Sequence, residues 1–279
     1  MSERMARLSL SFPQTFAPER EYIGALLEYA ASERSGTEIE ISRATGIPTG
    51  SQSGKVPATL GYCRGMQLLG SASLSGETKS PQLTPLADIV LQEDKYLSEV
   101  ATQWLCHLNL CRRDSGGELW YQVFAASRCV LGMVFNDDHI QKFVQDACGK
   151  RQRSPLGPLR SMYSNDRSFP IEAIGWDSAG RIVRSAAPLE EQYVRAYAVW
   201  LLGMCESFFP EVGQIALDEL SSETRWQDAA GWTDDEAACV LRWMQDRSII
   251  DVDRQMSPWV IHPQAISNDV CATIYDELV

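Results

Sequence analysis

The chain has 279 residues, 44% of them hydrophobic, which is enough to bury well-formed cores in one large domain or in two. No apolar run approaches the ~20 residues that span a bilayer, and MSERMARLSLSF lacks the apolar core of a secretory signal, so a cytoplasmic protein with no membrane anchor is expected. The net charge of -12 is uneven: residues 1–160 carry 17 Lys/Arg and 17 Asp/Glu, whereas residues 161–279 carry 8 and 20, so any contact with nucleic acid belongs to the first part.

In LSLSFPQTFAPEREYIGALLEYAAS, Phe12 and Phe16 bracket Pro13, and a helix follows. Tyr22, Ile23, Leu26, Leu27 and Ala30 make an apolar stripe of helical period, with Pro18 expected in the first turn and Glu19, Arg20 and Glu21 at the positive end of the helix dipole. Thr37 and Glu40 have the spacing of a capping box, which predicts a short helix running to Thr45 and closed by Gly46.

Next comes TGIPTGSQSGKV, Thr45 to Val56, which sets glycines, hydroxyl residues and a lysine between two helices. Gly46, Gly50 and Gly54 allow main-chain N–H groups to converge on an anion, and Lys55 adds a point charge. It is not a Walker A loop, because Gly50 and Gly54 enclose three residues rather than four and Val56 follows the lysine. Pro57 suits the first turn of the next helix, with Val56, Leu60 and Cys63 facing inward and Arg64 outward. MQLLGSASLSGETKSPQLTPLADIVL then reads as a hairpin with a polar tip and a helix capped by Thr84, with Pro85 at its first position. Helix, turn, helix, hairpin and helix form a winged-helix pattern whose second helix would enter the major groove. The residues expected to meet DNA are Arg43, Thr49, Ser51, Ser53, Lys55 and Arg64, joined by Lys150, Arg151 and Arg153 further on.

In TQWLCHLNLC, Trp104, Leu105, Leu108 and Cys111 form a helical apolar face, and His107 is expected to be a hydrogen-bonded core residue. The eight cysteines contain no CxxC pair, and Cys106, His107, Cys111 and Cys129 match no common zinc spacing. QKFVQDACGKRQRSPLGPLRSMYSNDR carries six basic residues, two prolines and two glycines. It divides the chain into a winged-helix DNA-binding domain over 1–150, a basic linker over 151–168 and an acidic interaction domain over 169–279.

In that last part, Ile171 to Val183 reads as a hairpin turning at Asp177-Ser178-Ala179-Gly180, and a long helix runs from Leu189 to about Phe209 with Pro210 as its stop. Thr233 and Glu236 form another capping box, followed by a helix and two strands over 249–252 and 259–261. The fold class is thus mainly α with small β-hairpin wings: an N-terminal winged helix and a helical C-terminal domain holding a second winged-helix-like unit. That second unit's recognition helix begins Asp234-Asp235-Glu236, which suits a protein partner or a homodimer rather than DNA.

SFPQTFAPEREYIGALLEYA, TGIPTGSQSGKV with Tyr62 and Met66, LTPLADIV, WLCHLNL and WYQVF, in that order over roughly residues 10–125, resemble the SspB-like family of bacterial proteins that travel with sulfur-handling DNA-modification genes. The resemblance implies the nicking component of a single-stranded DNA phosphorothioation system used in bacterial defence. Such a component is a Mg2+-dependent nickase that works with a cysteine desulfurase, an ATPase and an adenylating sulfur-transfer enzyme. Phosphodiester hydrolysis of that kind needs a carboxylate-bound metal to activate water. Glu19, Glu21 and Asp94 are the expected catalytic residues, with Glu19 and Asp94 as metal ligands and Glu93 beside them, although none stands in a PD-(D/E)xK or HNH signature. A non-catalytic DNA-binding or adaptor subunit of a modification or defence complex is the alternative. No Rossmann fingerprint, nucleophile elbow or zinc hydrolase motif supports a small-molecule enzyme.

Overall fold

The computed structural model describes residues 7–50, 54–70, 74, 76–149, 156–255 and 257–278. Mainly helical, it carries two small antiparallel sheets of three strands each. The first four helices are α1 (Arg20–Ala31), α2 (Glu38–Thr45), α3 (Lys55–Gly65) and α4 (Pro85–Glu93). Their ends follow local chemistry. Thr37 and Glu40 close the capping box at the start of α2, and Gly46 takes φ 74° at its end, where a side chain would be strained. The Thr84 hydroxyl accepts from the Ala87 N–H at the start of α4. Pro18 lies just ahead of α1, whose N-cap is Glu19. In place of continuous wing strands, the described residues carry single bridges, Leu69 to Leu83 and Gly36 to Lys79.

The centre of the molecule is α5 (Val100–Leu110), in which every residue from Ala101 to Leu110 is buried. An apolar stripe on one face does not describe it, since neighbours enclose it on all sides. Its polar members are therefore each satisfied: Gln103 donates to the Leu97 carbonyl, Asn109 donates to the Met66 carbonyl at 3.1 Å, and His107 meets Tyr163. Next come α6 (Glu118–Trp120), which runs into a π-helical stretch (Tyr121–Ala126), α7 (Arg128–Leu131), β1 (Val134–Phe135), α8 (Asp137–Cys148) and α9 (Gly157–Ser164). The last lies within the expected linker. It places Tyr163 in the core, where its hydroxyl lies 2.6 Å from His107 Nδ1 and accepts from Trp120 Nε1 at 3.0 Å. Burial pushes the His107 pKa down to about 3, so the ring is neutral.

The hairpin of β2 (Ile174–Trp176) and β3 (Ile182–Arg184) adds β1 to its edge, in the order β1-β3-β2. Helix α10 (Val194–Phe208) then packs on α5, and Trp200 Nε1 donates to the Leu108 carbonyl. Arg112 and Asp114 form a buried ion pair that also holds the Gly203 carbonyl of α10. The chain closes with β4 (Ile215–Ala216), α11 (Leu217–Thr224), α12 (Trp226–Ala230), α13 (Asp234–Asp246), β5 (Ile250–Asp253), β6 (Val260–Pro263) and α14 (Ser267–Cys271). The second sheet has the order β4-β6-β5, with Ile261 opposite both Ile215 and Val252. Residues 20–93 and 194–271 thus repeat one order: a helix, a short extended pairing segment, further helices, a hairpin and a final helix. A single hydrophobic core extends from Leu26 through Leu105 to Trp200 and Ile274. No helix among the described residues is long and apolar enough to cross a membrane.

Candidate nucleic-acid interface

The glycine-rich loop is closed onto α2 at its start. Ser42 donates to the Ile47 carbonyl at 2.6 Å, Thr45 donates to the Ile41 carbonyl, and Ile47 is buried. Gly50 is exposed, Thr49 half-buried, and Ser51 and Ser53 lie outside the described residues. A Cβ at Gly54 would collide with the Gln14 side chain, so that glycine admits the Gln14 amide to the start of α3.

Lys55, the first residue of α3, is the expected phosphate contact, and Glu19 an expected metal ligand. The fold joins them: Lys55 Nζ lies 2.5 Å from Glu19 Oε1 and 4.5 Å from the centre of the Tyr22 ring. With side-chain exposures of 14% and 21%, this pair is a half-buried tie between the start of α1 and the start of α3. Glu21 is exposed in the first turn of α1. Asp94 is buried, and its two carboxylate oxygens accept the backbone N–H groups of Ser98 at 2.7 Å and Glu99 at 3.1 Å, which orders the turn into α5. Among the described residues no group of three or more His, Cys, Asp or Glu side chains is placed to hold a metal ion.

The other expected DNA contacts are distributed as follows. Arg43 stands exposed in the last turn of α2, and Arg64 is half-buried in the last turn of α3 with its pKa lowered by burial. Neither guanidinium makes a hydrogen bond or an ion pair among the described residues, which leaves both able to meet a phosphate. Lys150, Arg151 and Arg153 lie outside the described residues.

The cover over α3 is set by a segment distant in the chain. Leu8 pairs with the chain at Gly117, and the turn that follows lays Phe12 against α3, with its ring 5.0 Å from that of Tyr62 and 5.7 Å from that of Trp120. A Cβ at Gly61 would come within 2.8 Å of the Phe12 ring, and one at Gly65 within 2.8 Å of both Leu8 and Leu110. Two glycines four apart on one helix are the signal for such a close approach. The consequence is that most of α3 is enclosed, and its half-open positions are Lys55, Pro57, Gly61 and Arg64.

No known family model matches the sequence, and no curated protein does. Solved structures do match the fold. A magnesium ion-bound SspB crystal structure superposes with a TM-score of 0.70 at 16% identity, covering 98% of this chain and 88% of that one. The chain has the SspB fold. A second SspB crystal structure gives 0.71 at the same identity and coverage, so the likeness to SspB spans both repeated units.

Proposed function

We propose that this chain is a DNA-binding component of a bacterial DNA phosphorothioation system and acts as a Mg2+-dependent DNA nickase. The observation behind the proposal is the SspB fold, matched over 98% of the chain. In this proposal the unit from α1 to α4 is a winged helix that takes a DNA backbone through Arg43, Thr49, Lys55 and Arg64, and Ser51, Ser53, Lys150, Arg151 and Arg153, outside the described residues, are further contacts. The unit from α10 to α14 is a second, winged-helix-like module that serves protein contacts. Partners are the desulfurase, ATPase and adenylating enzyme of the same system.

One of the matching SspB structures is magnesium ion-bound, and the described residues of this chain do not fit that ion. Glu19 Oε1 is held by Lys55, both Asp94 oxygens accept backbone N–H groups, and among the described residues neither carboxylate stands in a group of three or more ligating side chains that could hold a hard cation. No step is therefore derived through a metal. Glu21, exposed beside Glu19, is the carboxylate free to act at this end of α1.

A second reading, a non-catalytic DNA-binding adaptor, is favoured by the engagement of Glu19 and Asp94 and by the enclosure of α3 under Phe12. Supercoiled plasmid separates the two. A nickase converts it to open circle with Mg2+ and not with EDTA, and Glu21→Gln abolishes the conversion. An adaptor shifts DNA in gels with steep salt dependence and leaves the plasmid supercoiled. DNA binding that is absent at low salt overturns both.

A further inference from the structure

The second repeated unit bears a groove of about 460 Å³ between the first turns of α11 and α13 and the tip that joins β5 to β6. Its wall is apolar and partly open to solvent, formed by Leu217, Ala238, Pro258 and Trp259. Its rim is acidic, with Asp218, Asp234 and Asp235. Asp234 accepts from Gln227 at 2.6 Å, whereas the exposed Asp218 and Asp235 take part in no hydrogen bond or ion pair among the described residues. Arg254 lies 5.2 Å over the Trp259 ring of the wall and donates to Gln245. The capping box of Thr233 and Glu236 already satisfies the start of α13, so no anion is called for there.

Three carboxylates around an apolar slot repel a nucleic-acid backbone and complement the opposite charge. The surrounding half of the chain, with 8 basic and 20 acidic residues over 161–279, extends the same field. We infer that this groove docks a cationic segment of a partner protein, with lysine or arginine over Asp218 and Asp235 and an apolar side chain seated against Ala238 and Trp259. The site is independent of whether the chain nicks DNA, because it shares no residue with the α1–α4 unit.

The test uses the full-length protein and fluorescence anisotropy of a short labelled peptide in which lysine and leucine alternate at helical spacing. Matched probes replace leucine by serine, or lysine by glutamate. The lysine–leucine probe should bind at least about tenfold more tightly than either matched probe. Asp218→Lys with Asp235→Lys should weaken it by about tenfold or more, and so should Ala238→Trp, which fills the slot without changing charge. Glu211→Lys with Asp276→Lys, the same change in net charge at exposed positions outside the groove, should leave affinity within about twofold. Circular dichroism checks that each variant folds, and Asp218→Asn with Asp235→Asn replaces the lysine pair should that pair unfold. Equal binding of the lysine–serine probe, or equal weakening by the distant pair, overturns the inference, because charge alone would then explain the binding. So does full affinity in Ala238→Trp, competition by duplex DNA at the groove, or a dimer that Asp218→Lys with Asp235→Lys splits while the peptide fails to bind, since the occupant would then be a second copy.

Discussion

The Lys55–Glu19 pair offers the sharpest test of how the loop works. At 2.5 Å, and with an effective dielectric near 20, the gross attraction is about 7 kcal/mol. Most of it is offset by desolvation and by ordering two long side chains. Because both side chains are about four-fifths covered, the net coupling should exceed that of an exposed pair and reach about 1 to 2 kcal/mol. A double-mutant cycle of Lys55→Ala, Glu19→Gln and the combination, read by urea denaturation, measures it. The same variants report on DNA. If Lys55 meets a phosphate while Glu19 competes for it, Glu19→Gln should tighten DNA binding by about two- to fivefold and steepen its salt dependence by roughly one phosphate contact, whereas Lys55→Ala should do the reverse. A coupling below about 0.3 kcal/mol would refute the stability argument. Unchanged DNA affinity in both single variants would remove Lys55 from the interface.

Two further outcomes follow from buried charge. His107, with its pKa pushed down to about 3 by burial, is neutral when folded and protonates near 6.5 when unfolded, so stability is lost as pH falls below 6.5; at pH 5 the loss is about 2 kcal/mol, seen as a lower thermal midpoint, and His107→Gln should flatten that slope. Burial alone would raise the Asp114 pKa, but the Arg112 charge and hydrogen bonds from Arg112, Ser207 and Ser115 hold it below the ordinary carboxylate value. Its contribution is therefore present above that ordinary value and is lost as pH falls through the lowered one, and Asp114→Asn should cost about 3 kcal/mol at pH 7 by leaving Arg112 buried without its partner, as measured by denaturation.

Much of the architecture was legible because its signals are local. The two capping boxes, Thr84 with Pro85, the glycine after α2 and the Asp177 turn each depend on residues a few positions apart, and each stands where the spacing puts it, whereas α10 keeps its expected end at Phe208 but begins at Val194 rather than Leu189, after a 3-10 turn over Glu191–Tyr193. The mainly helical class and the SspB-like resemblance follow from the same residues. Burial on all sides of α5 was not legible, because an apolar stripe indicates one buried face and only the surrounding elements decide how many faces are covered. Helix α9 was hidden for a related reason: prolines, glycines and charges dominate its surroundings, and Tyr163 gains its meaning from His107, which lies 56 residues away.

The site divides in the same way. By itself the sequence determined that a glycine-rich stretch separates two helices after Thr45, that the first 160 residues are neutral and the rest acidic, and that Arg64 lies off the apolar face of its helix. Only the tertiary structure decided that Lys55 is held by Glu19, that Gln14 occupies the space beside Gly54, and that Phe12 covers α3. Backbone conformation answers to near neighbours along the chain. The partner of a charge and the cover of a helix are set by segments that meet only when the whole core closes.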